Sequence, residues 1–232
     1  MLPLPPVPHM TAIPDAGSPP TLSERWIKAN IAAAIISGVA SFALYLVKQA
    51  VGAAEPQAGS GALLVLYLAA IVFSGFAGAA GGVLTGAVLQ RIVRRLPART
   101  WITLHAAMSI VVGVVVELME ASRVEKTAEA MPLDPGVLPS SLVFGAIVGV
   151  VVGSLEALVL RQAASGLAAW VKWNAIAYAA AWLLLVTGAA LLLSGASLTG
   201  ELINQALSFA AAIIVALLTL PALPLLQPRA NA

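Results

Sequence analysis

The run LLVLYLAAIVFSGFAGAAGGVLTGAVL, from Leu63 to Leu89, decides the fold because it contains no charged residue. A helix needs roughly 20 apolar residues to cross about 30 Å of hydrocarbon. This run exceeds that length, so it can span a bilayer with some tilt or bend. It therefore predicts a transmembrane helix.

The other long apolar runs have the same character. They cover Ile31 to Val47, Ile102 to Leu118, Leu142 to Leu160, Ala175 to Leu193 and Leu202 to Leu220. Pro221 and Pro224 stop the last run, because proline cannot continue a helix without loss of backbone hydrogen bonds. The sequence predicts an all-α polytopic bundle of six spans over residues 31–226. A proline-rich tail (1–30) precedes it and a short tail (227–232) follows it.

The composition excludes several classes of protein. Hydrophobic residues make up 60% of the chain and charged residues 9%, with a mean hydropathy of +0.98, whereas soluble domains are about 25% charged. The lipid bilayer is therefore the expected partner. Twelve scattered Lys and Arg residues are too few for a nucleic-acid interface. The absence of Cys excludes disulfides and thiolate metal sites.

The distribution of cations predicts the orientation, because short loops rich in Lys and Arg stay in the cytoplasm. Cations lie before the first span, between the second and third, between the fourth and fifth, and after the sixth. They are Arg25, Lys28, Arg91, Arg94, Arg95, Arg99, Arg161, Lys172 and Arg229. Both termini are therefore expected in the cytoplasm. Four tryptophans, Trp26, Trp101, Trp170 and Trp173, are expected at the same membrane interface.

The second and fourth spans share a pattern of glycines. A shift of 67 positions (145 − 78) aligns Gly78, Gly82, Gly86 and Arg94 with Gly145, Gly149, Gly153 and Arg161. Each copy precedes a tryptophan that opens the next span. The pattern predicts a parallel repeat of a helical hairpin, made of spans 2–3 and 4–5.

Glycines four residues apart line one helix face and allow another backbone to approach closely. We expect these glycines to serve helix packing, with the second and fourth spans at the centre of the bundle. A conduction path lined by glycine is the alternative.

A polar layer is predicted near the cytoplasmic face. Its members are Gln90, Arg94, Glu156, Arg161, Lys172 and Asn174, together with His105. Gln90 and Glu156 continue the glycine faces, so both should point into the bundle. A lone carboxylate at this depth is costly, so Glu156 is expected to pair with Lys172, Arg161 or a loop arginine, the alternative being a ligand or proton site.

His105 is the only histidine within a span. We expect it to be hydrogen-bonded within the packed bundle. The alternative is axial ligation of haem or of a chlorophyll-type pigment, for which no second intramembrane histidine is available.

A second polar layer is predicted near the outer face, and it comprises Glu117, Glu120, Glu201, Asn204 and Gln205. A solvated helix end explains the first two better than a cation site does. No ionisable residue falls near the middle of the spans, which argues against a proton pump or a coupled ion carrier. Common catalytic and nucleotide-binding motifs are missing too, so no catalytic residue and no metal ligand is assigned.

The hairpin that runs from the first glycine triplet through Gln90 and Arg94 to Trp101 resembles uncharacterised bacterial multi-pass proteins with a Gly, Gln, Arg, Trp signature. The likeness covers spans 2 to 5, although the second copy has Ala157 where Gln90 would align. The resemblance implies a bacterial inner membrane and no established activity. The six spans and cytoplasmic termini also resemble, in architecture only, the substrate-binding membrane subunits of vitamin importers.

Three hypotheses for the function follow. The first is an accessory or structural subunit, non-catalytic, that packs with other membrane subunits. The second is a small-solute transport component with an outward-facing pocket lined by Glu117, Glu201, Asn204 and Gln205. The third is a pigment or haem carrier through His105.

Overall fold

A computed structural model describes residues 20–52, 59–123, 137–192 and 198–229, without the side chains of 119–123, 137, 189–192, 198 and 201. The helices are α1 Leu22–Ala50, α2 Ser60–Leu89, α3 Ala98–Arg123, α4 Val137–Leu160, α5 Leu167–Leu192 and α6 Leu198–Thr219. A 3₁₀ turn, Leu220–Leu225, follows α6, and the short strands β1 (Ala164–Ser165) and β2 (Gln227–Pro228) pair antiparallel. All six helices are long and apolar enough to cross a membrane. The expected all-α, six-helix bundle is confirmed.

Helix α1 begins earlier than the hydropathy indicates. The Thr21 hydroxyl accepts a hydrogen bond from the Glu24 backbone N–H at 3.2 Å, and the Glu24 carboxylate accepts one from the Thr21 N–H at 2.8 Å. This capping box satisfies backbone donors that the first turn of a helix leaves unpaired. Residues 22–30, which we assigned to the N-terminal tail, are therefore helical. The proline-rich residues 1–19 lie outside the described part of the chain.

The helices form a ring in chain order. Each packs on the next, and α6 returns to pack on α1. Among the described residues, the contact between α3 and α4 is the slightest in this ring. The expectation that α2 and α4 meet at the centre is wrong, because the principal neighbours of α2 are α1 and α3, and that of α4 is α5.

The two glycine faces lie inside the hairpins α2–α3 and α4–α5. A Cβ atom on Gly82 would lie 2.9 Å from the Ile102 Cα, and one on Gly149 would lie 2.7 Å from the Ala175 Cα. Both distances are too short for a side chain. The other four glycines of the two faces also lie against α3 or α5, Gly78 and Gly86 against α3, Gly145 and Gly153 against α5. Each hairpin is therefore a pair of helices in backbone contact.

The largest buried cluster lies at what we call the basic end, where α1, α3 and α5 begin and α2, α4 and α6 end. Trp101 and Trp170 are completely enclosed there, with 0% and 1% exposure. The C-terminal segment folds back onto this end, and the Arg229 N–H donates to the Ala163 carbonyl at 3.0 Å. Gly166 has a φ of 80° and lies directly against the Leu225 carbonyl, so only glycine fits this turn.

Candidate functional site: a buried polar cluster between two helical hairpins

Glu156 is the centre of a polar cluster at the basic end. Its side chain, near the end of α4, is only 7% exposed. The Trp170 indole Nε1–H, from α5, donates to Oε2 at 2.9 Å. On the other side, Nε2 of His105 from α3 lies 3.3 Å from Oε1. The carboxylate therefore connects its own hairpin to the α2–α3 hairpin.

The cationic partners expected for Glu156 lie elsewhere. Arg161 and Lys172 are both exposed, and the Lys172 ammonium lies 5.9 Å from the centre of the Trp173 ring. Long cationic side chains extend toward water when they can, because hydration of the charge is favourable. Within the described residues, the groups that meet the Glu156 carboxylate are a neutral indole and an imidazole.

His105 is held tightly by its own hairpin. Its ring centre lies 4.7 Å from that of Trp101, and Gly82 leaves space for its Cβ. Nε2 is inaccessible to solvent, and although it lies near Glu156 it is not aligned for a hydrogen bond. Because Nε2 faces a carboxylate, haem or pigment ligation at this nitrogen would require Glu156 to move away.

Three of the four tryptophans of the basic end point into the bundle, whereas Trp173 is half-buried. Trp26 and Trp101 are buried like Trp170, and each indole N–H has a partner within the protein. Trp26 donates to the Thr219 hydroxyl at 3.1 Å, and Trp101 donates to the Thr85 hydroxyl at 3.2 Å. A buried indole N–H requires such a partner, so the threonines explain the inward orientation.

The remaining members of the predicted cytoplasmic layer do not join the cluster, with one exception. Gln90 and Arg94 are exposed, because α2 ends at Leu89 and both residues lie in the following turn. Asn174 is buried on α5, where its amide donates to the Trp170 carbonyl at 3.0 Å. The expectation that Gln90 points into the bundle is wrong.

The predicted outer layer is not gathered into one pocket by its described members. Glu117 is 7% exposed and lies 3.5 Å from the Lys48 ammonium of α1, so it is not on a solvated helix end as expected. Asn204 is exposed, and Gln205 lies near Gly38, well along α1 from Lys48. The side chains of Glu120 and Glu201 lie outside the described residues.

The indole contacts reveal a correspondence between the hairpins that the glycine pattern missed. Trp101 binds Thr85, three residues after Gly82, and Trp170 binds Glu156, three residues after Gly153. These contacts align Gly82 with Gly153, a shift of 71 (153 − 82) rather than 67. Leu89 and Leu160 align at the same shift, and both are 0% exposed. The sequence contains this correspondence, because the spacing from Gly82 to Leu89 equals the spacing from Gly153 to Leu160.

The fold and this cluster define a multi-pass α-helical membrane protein, whose outward helix faces carry exposed apolar side chains such as Val39, Phe76 and Val111. Such faces suit contact with lipid. No protein-family model, no curated protein and no solved structure matches the chain.

Proposed function

We propose that the protein is a non-catalytic subunit of a larger assembly in a bacterial inner membrane, and that a transmembrane helix of another subunit binds α4. The observation that carries this proposal is an open, largely apolar face on one side of α4, formed by Pro139, Ser140, Val143, Phe144 and Ile147. We call these five residues the α4 face.

The packing of α4 supports the proposal. Its glycines lie against α5, whereas its contact with α3 is slight. Ile147 and Val143 are 57% and 60% exposed. Helices in lipid associate through close van der Waals packing of complementary surfaces, since lipid tails already solvate apolar groups. The slight contact with α3 leaves the α4 face open for such packing with a partner helix.

The proposed orientation places the basic end in the cytoplasm, with both termini there. Arg91, Arg94, Arg95 and Arg99 are all exposed at this end, which is the distribution that keeps loops on the cytoplasmic side. Their exposure supports the orientation predicted from the distribution of cations, because these four side chains face outward and do not pack inside the bundle.

We also propose that the hairpins α2–α3 and α4–α5 derive from one repeated unit. The shared arrangement of glycine, indole partner and buried leucine supports this view. Thr85 accepts the indole in the first hairpin and Glu156 in the second. The two copies then differ in the residue that accepts the indole N–H. The longer Glu156 side chain also reaches His105, which a threonine would not.

Photo-crosslinking in the native membrane tests the α4 face. A photoreactive amino acid replaces Ile147, and a matched variant carries it at Val39 on α1, which is 66% exposed. The expected result is one discrete adduct with another membrane protein at Ile147, and lipid adducts alone at Val39. Lipid adducts alone at both positions, or an adduct of the chain with its own copy, would contradict the proposal.

A further inference from the structure

We propose that His105 and Glu156 bind a single proton between them, and that this proton links the α2–α3 hairpin to the α4–α5 hairpin. The inference is separate from the α4 face. It rests on three observations. Nε2 of His105 lies 3.3 Å from Oε1 of Glu156, the Nε2 atom and the Glu156 side chain are buried, and the pair lies between α3 and α4, which otherwise touch only slightly.

The charges of the two groups favour one proton. Without it, the cluster holds a carboxylate whose hydrogen-bond donor among the described residues is the Trp170 indole, and a buried charge without an ionic partner is unfavourable. With two protons, an imidazolium faces a neutral acid, which is again a net charge in a place of low polarity. One proton makes the pair neutral overall, as an imidazolium beside a carboxylate.

In the part of the chain that the structure describes, the groups that contact the pair carry no further charge. Trp101 covers the imidazole ring of His105. On the α5 side, Asn174 is neutral, and the phenol of Tyr178 interacts electrostatically with Glu156. The nearest cations in sequence, Arg161 and Lys172, are exposed.

The unpartnered imidazole nitrogen is a second, independent observation. Buried polar atoms in folded proteins almost always have a hydrogen-bond partner, so an exception requires an explanation. Nε2 of His105 is inaccessible to solvent and lacks an aligned partner. A proton on this nitrogen, directed at Oε1 by a small rotation of the ring, supplies the missing hydrogen bond.

The position of the pair gives the proton a mechanical consequence. Both hairpins are held internally by glycine contacts, whereas α3 and α4 touch only slightly. A charge-assisted hydrogen bond at this junction is therefore a direct connection between α3 and α4, in addition to the packing through α6 and α1. Loss of the proton should separate α3 from α4 while each hairpin stays intact.

Two measurements on the purified full-length protein test the proposal. The chain has two histidines and no Cys, so a His9→Gln background isolates His105 for ¹⁵N NMR. Spin labels on Val111→Cys and Val151→Cys, both at exposed positions, report the α3 to α4 distance by pulsed electron paramagnetic resonance. The variants are His105→Gln and Glu156→Gln. Thr85→Val is the matched control, because it removes an indole partner inside one hairpin.

The expected NMR result at neutral pH is an imidazolium, in which both ring nitrogens of His105 are protonated and the Nε2 proton is protected from exchange. This protection should disappear in Glu156→Gln. The expected distance distribution is narrow in the spin-labelled protein without further substitution and in its Thr85→Val variant. It should become longer and broader in His105→Gln, in Glu156→Gln and in the unmodified protein at a pH high enough to remove the proton. A neutral imidazole at neutral pH, or a distance distribution unchanged by all three treatments, would overturn the proposal.

Discussion

Glu156 has to be stabilised at a depth where water is scarce, and two aromatic side chains provide its described contacts. One oxygen accepts from the Trp170 indole at 2.9 Å, and the other lies 3.3 Å from His105. Neither group carries a permanent charge. Cations from Arg161 or Lys172 would have been the simpler solution, but both extend away from the cluster. The site therefore depends on directional contacts with an indole and an imidazole.

At the residue scale, Trp170→Phe should destabilise the protein more than Trp101→Phe. Both indoles are buried, so the loss of packing is similar. Trp170 donates to a carboxylate and Trp101 to a hydroxyl, and a bond to a charged group contributes about 1.5–3 kcal/mol against about 0.5–1.5 kcal/mol for a neutral one. Unfolding free energies in one detergent measure the difference. An equal or larger loss in Trp101→Phe would contradict the assigned role of Glu156.

At the element scale, each hairpin depends on glycines that leave no space for a methyl group. Gly149→Ala should destabilise the protein by about 1–3 kcal/mol, as overpacking does in dense interiors, because its Cβ would lie 2.7 Å from the Ala175 Cα. Gly61→Ala is the control, since nothing lies within 4 Å of the new methyl group. The control should gain up to about 1 kcal/mol from helix propensity. Thermal unfolding followed by circular dichroism compares them, and equal effects would refute the close packing.

The first turn of α1 makes a second prediction at this scale. Thr21→Ala removes the hydroxyl that accepts the Glu24 N–H, so it should cost about 0.5–2 kcal/mol. Ser23→Ala, an exposed neighbour in the same turn, should be close to neutral. Hydrogen exchange of the first-turn amides measures the effect locally. Protection that survives in Thr21→Ala would show that the capping box does not hold the start of the helix.

At the scale of the whole molecule, hydropathy predicts the six spans because transfer into lipid depends on length and apolarity alone. It cannot predict neighbours, because a residue that faces lipid and one that packs on a helix are equally apolar. This explains why the centre of the bundle was misplaced and why Gly82 was aligned one turn away from its structural counterpart. The inward turn of Trp101 was missed for a related reason, since its partner Thr85 lies in a different helix. The sequence predicts the burial of Glu156. Its approach to His105 could not be predicted, because it depends on which helices are neighbours in the ring.

The central claim, that six helices cross the membrane with the arginine-bearing loops on the cytoplasmic side, is tested most directly by cysteine labelling. The chain lacks Cys, so single variants at two exposed positions, Ser60→Cys and Arg95→Cys, report opposite ends of α2. A maleimide that cannot cross membranes should label Ser60→Cys in intact cells and Arg95→Cys only after the membrane is opened. Labelling of Arg95→Cys in intact cells, or identical labelling of both variants, would contradict the account.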